Sequence, residues 1–467
     1  MELSTLITTF IALIVSGIIY DTVTRKQLSG VKPWLTCFLD ALYSLPRLLT
    51  LGPFKPDATR LKNIIADQKK VTKKTDMGGD EDEMIKRYDP LLDIGLVKSG
   101  VKFSPFGQTI VINSLAKRVK SRLDMIDYLK KHPKVEKINV RRPVFVIGFT
   151  RTGTTFLHEI LGLHPEVRMH YTWEQIDFVP RTDEETMEAF TKDRALRHEV
   201  NKKDFHMLTT VAGDAIQSIH RIEYDAPEEC STPCGMELPF NIPTIPLMPF
   251  AAKEIIDLGA KDTFPLYKKY LQLLTFQAPD RQSPFTWMLK CPFHLPYLSE
   301  LHATFPDATI VWTHRNPVEC IASACSLYET ILKISVDSWT IDRKALGLAV
   351  MELSLLSLDK AIRSIEKAGK SLRILHIRYA DNIKDPKSVC KKVMDMAELD
   401  FSDEYVNRLD DYMTESNRKR SAMKEKKAKE AATGKPVELH SYSLEDYGLS
   451  KEIVLTKFDA YIKKYNL

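Results

Sequence analysis

Paired cysteines, glycosylation acceptors and an excess of one charge are all scarce in this chain of 467 residues. Its seven cysteines, at positions 37, 230, 234, 291, 320, 325 and 390, are an odd number. Cys230 and Cys234 lie four apart, but no second pair with histidine completes a zinc-like set, so free or buried thiols are expected and no metal site is assigned. No Asn-x-Ser/Thr acceptor occurs. The net charge of +5 is small for this length and the basic residues are spread along the chain, which gives no ground for a nucleic-acid partner. With 44% hydrophobic and 28% charged residues, the length suits one large folded domain plus an appendage.

The N-terminus carries a run without charge, Leu3 to Tyr20, eighteen residues long. That is the lower limit for crossing a bilayer, so residues 1–30 are expected to form a single-pass membrane anchor; a buried helix is the alternative. No Lys or Arg precedes the run and no small-x-small site follows it, which argues against a cleaved signal peptide. Arg25, Lys26 and Lys32 follow the span while Glu2 precedes it, and this bias places the body of the protein in the cytosol. Residues 31–135 read as a helical lead-in and linker. Within it, 31–43 suits a membrane interface, 67–86 reads as a solvated linker or exposed loop, and 116–131 as a helix.

The most informative segment is Val144-Phe-Val-Ile-Gly148-Phe-Thr-Arg151-Thr152-Gly153-Thr154-Thr155, followed by a helical pattern. Four apolar residues suit a strand covered on both faces, and the two glycines let the backbone turn tightly beside a ligand. The amides near Gly153 to Thr155 then open a helix, where unpaired donors attract an anion. Thr154 stands where a Walker loop has its lysine, which argues against ordinary ATP or GTP hydrolysis. A purely structural strand-to-helix turn is the plainer reading of this segment alone. A second strand, Thr309 to Thr313, ends in His314-Arg315-Asn316-Pro317 and restarts as a helix that carries Ser323. Arg315 thereby emerges at a strand's carboxyl end, the ligand-binding edge of open α/β sheets.

Together these segments resemble the sulfotransferase family that uses 3′-phosphoadenylyl sulfate (PAPS). Arg151-Thr-Gly-Thr-Thr155 is similar to the family's loop for the 5′-phosphosulfate, and Arg315 with Ser323 eight positions on is similar to its 3′-phosphate pair. Lys290-Cys-Pro-Phe-His294-Leu-Pro296 resembles its Lys-x-His-Leu-Pro element with two extra residues, an arrangement of the bacterial-like branch. Ile377-Arg-Tyr379-Ala-Asp381 resembles the stretch whose tyrosine lies near the adenine. His440-Ser-Tyr442-Ser-Leu-Glu445-Asp-Tyr-Gly448-Leu resembles the closing motif, preceded by basic residues from Arg418 onward that in the family help hold the 3′-phosphate. The resemblance covers roughly residues 140 to 467.

Strands near 144–147, 286–289, 309–313 and 372–377 alternate with helical stretches at 155–163, 296–305, 317–331 and 386–397. This predicts an α/β fold with a P-loop-like parallel sheet flanked by helices, occupying 136–467. The resemblance implies an enzyme that moves a sulfuryl group from PAPS, released as 3′,5′-ADP, to an acceptor hydroxyl. It implies Arg151, Thr152, Gly153, Thr154 and Thr155 at the phosphosulfate, Lys290 at the leaving oxygen, Arg315 and Ser323 at the 3′-phosphate, and Tyr379 at the adenine. A sulfuryl group carries less negative charge than a phosphoryl group, so fixed cations and amides suffice for its transition state. His294 and Glu174 are the two candidate bases for the acceptor. Asp225, Glu228 and Glu229 read as a solvated acidic turn, with an acceptor-side role as the alternative. The proline-rich stretch 235–250 suits a loop that lines an apolar pocket, so a lipid, sterol or other hydrophobic acceptor is expected. Membrane-anchored relatives commonly face the Golgi lumen, which stands as the alternative to the cytosol. A P-loop small-molecule kinase and a catalytically silent, membrane-tethered nucleotide-binding protein are the other classes left open.

Overall fold

The apolar runs that end at Gly148, Lys290 and His314 become central strands of one parallel sheet. In the computed structural model, which describes residues 58–219, 222–237, 244–278, 285–432 and 442–467, the strands are β1 (Val144–Gly148), β2 (Val167–Arg168), β3 (Thr286–Lys290), β4 (Thr309–His314) and β5 (Arg373–Arg378). Their order is β2-β3-β1-β4-β5, and every pairing is parallel. The α/β architecture with a helix-flanked parallel sheet is therefore as expected. β1 is buried along its whole length, and its residues alternate between two cores. Phe145 and Ile147 join Leu289, Ile310 and Trp312 on one face, while Val144 and Val146 join Leu157, Met288 and Val311 on the other. From β1 the chain crosses to the edge strand β2, returns to β3 beside β1, and then passes over β1 to β4 and β5, so the sheet is built outward from β1 to both sides, and the crevice at such a point is where open sheets bind ligands.

The lead-in differs from expectation. The stretch 67–86 is helical at both ends, in α1 (Ala58–Thr72) and α2 (Glu81–Asp89), and the expected exposed loop is confined to residues 73–80 between them. Its charges lie outward while Leu61, Ile64, Ile65, Met84, Ile85 and Tyr88 are buried. The turn is fixed by Gly78, whose φ of +69° and contact with Ile126 leave no room for a Cβ. α3 (Pro105–Lys131) starts earlier than expected because Ser104 caps it, accepting from the Gly107 amide, with Pro105 at its first turn. Residues of all three helices belong to the same apolar core as Phe145 and Trp312.

Among the described residues no helix is long and apolar enough to cross a membrane. The expected anchor, the interface stretch 31–43, residues 238–243 of the proline-rich stretch, and His440 with Ser441 lie outside the described residues. The six described cysteines are free and buried.

Candidate active site

Four loops converge on the carboxyl edge of the sheet, because parallel strands all end on the same side. The loop after β1 leads into α4 (Thr154–Leu161). Gly153 takes a φ of +86°, and a Cβ there would lie 2.7 Å from the Tyr379 ring, so only glycine permits this approach. Gly148 is equally crowded, by the Thr313 and Thr152 hydroxyls. Arg151 itself holds a φ of +75°, a left-handed conformation costly for a non-glycine residue and tolerated where a site demands it. The Thr152 hydroxyl donates to the Phe149 carbonyl (2.7 Å) and pairs with Thr313 (2.7 Å), which ties the loop to β4. Thr154 is buried, whereas Thr155 is exposed at the mouth of the helix N-terminus.

One side of this loop gathers the residues that the sequence placed around a 3′-phosphate. β4 feeds α5 (Pro317–Ser335), whose start Asn316 caps by accepting from the Val318 amide. Arg315 donates from Nη1 to the Arg151 carbonyl (3.1 Å) and from Nε to Glu319 (2.8 Å), and its guanidinium lies 4.1 Å from the Tyr379 ring centroid. Arg151 turns its Nε to Ser323 Oγ at 3.0 Å, and Ser323 Oγ also meets the Tyr442 hydroxyl at 2.9 Å. Arg151, Arg315, Ser323 and Tyr379 are thus brought together, and Tyr442 joins them. Arg151 points towards Ser323, the side assigned to the other phosphate.

The opposite side is built on the end of β3. Lys290 is buried, with Nζ 2.6 Å from Glu229 Oε1 and 3.4 Å from Thr155 Oγ1. Burial disfavours its ammonium, but Glu229 and Glu228 outweigh that and hold its pKa above the ordinary lysine value. The segment carrying Glu229 is clamped by main-chain bonds: Cys230 N–H to the Lys290 carbonyl (3.0 Å), Glu228 N–H to the His170 carbonyl (3.2 Å), and Gln175 Nε2 to the Glu229 carbonyl (2.9 Å). Asp225 lies apart and pairs with His198 at 2.5 Å.

Neither candidate base is presented to this site. The 3-10 turn Pro292–Tyr297 rotates His294 into the core, where its ring is 5.5 Å from Phe145 and 5.3 Å from Phe264. Its Nε2 has no hydrogen-bond partner among the described residues, and burial and, less, His170 lower its pKa to about 3. The two extra residues after Lys290 form the start of this turn. Glu174 is 2% exposed and accepts from Arg168 (2.7 Å), Arg194 (3.3 Å) and the Tyr171 amide (3.0 Å). Burial raises its pKa, but these partners outweigh it and hold the carboxyl below its ordinary range.

An apolar cleft opens beside the same loop. Phe149 and Thr150 meet Met248, Phe293 and Tyr328 there, across from the Leu353 face of α6 (Arg343–Ala368). Met248 is the one residue of the described part of the proline-rich stretch on this cleft, whose volume is about 30 Å³.

On sequence alone Tyr442 has no role of its own, and Glu229 reads as part of a solvated acidic turn with an acceptor-side role as the alternative. Tyr442 stood inside the closing motif, which was a usable signal, whereas nothing in the local spacing tied Glu229 to Lys290.

This arrangement of strand-end loops is that of a sulfuryl-transferring enzyme: residues 143–403 match the Sulfotransferase family, and the chain belongs to it. Among solved structures it is similar to the sulfotransferase STF9 from Mycobacterium avium, with a TM-score of 0.68 and 23% identity over 87% of this chain and 96% of that one. It is also similar to the sulfotransferase STF1 from Mycobacterium tuberculosis H37Rv, with a TM-score of 0.64 and 24% identity over 85% of this chain and 98% of that one. At these identities the likeness concerns the fold. Curated proteins give no match.

Proposed function

We propose that the protein transfers the sulfuryl group of PAPS to a hydroxyl on an acceptor with an apolar body. The observation that carries this reading is the convergence of two cationic groups on either side of one glycine loop: Arg151, Arg315 and Ser323 on one side, and Lys290 on the other. The pair of arginines with Ser323 and Tyr442 suits the 3′-phosphate, and the Tyr379 ring stacked on Arg315 offers a surface for the adenine. The Thr152 amide already donates to the Phe149 carbonyl (3.2 Å), so the amides of Gly153 to Thr155 and the Lys290 ammonium suit the 5′-phosphosulfate, where Lys290 would meet the charge that grows on the leaving oxygen. Arg151 therefore moves in this reading from the 5′ to the 3′ side. The apolar body of the acceptor rests on the composition of the proline-rich stretch 235–250, because the cleft beside Thr150, at about 30 Å³, has room for little more than a water-sized group.

The domain spans 136–467, with the helices of the lead-in packed on it and residues 1–30 as an anchor that leaves it on the cytosolic side. One observation favours a second reading: Lys290 beside Thr155 supplies a lysine from outside the loop, as a kinase would need. Thermal shift separates the two. Stabilisation by 3′,5′-ADP without magnesium, and none by Mg-ATP, supports the sulfotransferase reading, and the reverse overturns it. Labelled PAPS incubated with a lipid and small-molecule extract then identifies the acceptor.

A further inference from the structure

His294 and Glu174 are both turned away, and the carboxylate in contact with Lys290, at the end of β3, is Glu229. We infer that Glu229 is the base that takes the proton of the acceptor hydroxyl, an assignment that rests on the proposed sulfuryl transfer. Three features of its position carry this. Its carboxylate touches Lys290 Nζ, which in turn reaches Thr155 at the opening of α4, so one side chain separates it from the loop that would hold the transferring group. It is only partly covered, at 17% exposure against 3% for Lys290, so an acceptor can approach it from solvent. Its backbone is clamped between the end of β3 and the segment 170–175, and a base must be held within hydrogen-bond reach of the proton it removes.

The pairing of Glu229 with Lys290 also assigns opposite ends of one in-line displacement. The acceptor oxygen forms its bond to sulfur as the bond from sulfur to the bridging oxygen breaks. The hydroxyl proton passes to the Glu229 carboxylate and then to solvent, and the negative charge left on 3′,5′-ADP falls beside the Lys290 ammonium. In the absence of donor the two side chains neutralise each other. Donor binding draws Lys290 towards the bridging oxygen, and the carboxylate is then released to accept a proton. The groups that face Glu229 are Lys290 and Cys291 from β3 and the residue after it, Glu228 and Cys230 from its own segment, and Tyr328 from α5. Cys230, Cys291 and Tyr328 are all pushed towards their neutral forms by burial. Lys290 is therefore the countercharge that decides whether Glu229 is free.

The test compares wild type, Glu229→Gln and Glu229→Asp in two measurements. Calorimetric binding of 3′,5′-ADP is expected to be unchanged or tighter in Glu229→Gln, because no ion pair has to open; a tenfold or greater weakening would make Glu229 part of the donor site and overturn the inference. Release of 3′,5′-ADP from PAPS is then followed with water, 2-naphthol and 4-nitrophenol as acceptors. Loss of a general base costs roughly 10²–10⁴ in turnover. Glu229→Gln should lose this much with water and 2-naphthol and clearly less with the more acidic 4-nitrophenol, and Glu229→Asp should recover part of it. Equal losses with every acceptor would reduce Glu229 to a positioning residue for Lys290. If wild type binds no 3′,5′-ADP at all, the donor assignment has failed instead, and with it the reaction that Glu229 would serve.

Discussion

Replacing Glu174 with Gln separates a structural carboxylate from a catalytic one, and the structure assigns it the structural outcome. One oxygen of Glu174 receives two guanidiniums, from Arg168 and Arg194, and the other receives the Tyr171 amide. A glutamine has a single acceptor oxygen. Whichever way its amide turns, the NH₂ group faces a donor, and the Arg168 guanidinium, 1% exposed, loses its countercharge. Removing one partner from a buried ion pair costs about 3–5 kcal/mol. Arg168 lies 4.7 Å from the Trp287 ring, so indole fluorescence in a urea titration should report the loss as a lower unfolding midpoint. The pH dependence has a fixed sign. Because its folded pKa is depressed, Glu174 contributes stability that is present above the ordinary Glu value of about 4.3 and is lost as pH falls through the lower folded value. The mutant should therefore show a shallower decline in acid than wild type. A Glu174→Gln protein with an unchanged midpoint and turnover reduced by about 10²–10⁴ would refute this reasoning and make Glu174 the base.

Arg315→Ala should weaken 3′,5′-ADP binding by about 2–3 kcal/mol while leaving 5′-AMP binding nearly unchanged, since a charge-assisted bond to the 3′-phosphate is what is lost. Tyr442→Phe should follow the same pattern with a smaller loss, about 0.5–1.5 kcal/mol; equal weakening towards both nucleotides would place Tyr442 outside the 3′-phosphate site. Lys290→Ala should lower turnover of PAPS more than affinity for 3′,5′-ADP, because the leaving oxygen gains its charge in the transition state. His294, whose pKa falls to about 3, should make the fold acid-sensitive. The unfolded chain takes up its proton below about 6.5 while the folded one does not, so stability declines from there down to the folded value, and His294→Phe should flatten that decline in denaturant midpoints measured from pH 7 to 4. Deleting residues 1–30 should give a soluble, catalytically competent protein, whereas deleting 1–104 should not, because α1 and α2 share the core of the sheet; protease protection in sealed vesicles reports which side the domain faces.

What was legible in the sequence depended on whether the determining contacts were local. The central strands were legible because β1, β3 and β4 are largely apolar runs buried on both faces, which needs no partner information to be recognised, whereas β5 is partly exposed and the two-residue β2 was not expected. The clustering of Arg151, Arg315 and Ser323 was legible because they lie on two strand-end loops, but the direction of Arg151, towards Ser323, was not. The lead-in was misread because Lys-Lys runs and Gly78-Gly79-Asp-Glu-Asp-Glu83 dominate its composition, while the helical period rests on the few buried residues Leu61, Ile64, Ile65, Met84, Ile85 and Tyr88. Chain direction at the acceptor side was decided by tertiary contacts alone. Whether His294 faces the site or Phe145 depends on a 3-10 turn set by Pro292 and Pro296, and whether Glu174 is free depends on Arg168 and Arg194. Glu229 reaches Lys290 across 61 positions of sequence through main-chain bonds that no motif encodes. On the proposed assignment the base is set by which loop docks against the end of β3. That loop is held there through the Cys230 amide, whereas Arg151, Arg315 and Tyr379 are positioned by β1, β4 and β5, so a carboxylate on the docked loop can change its sequence position while those three stay in place.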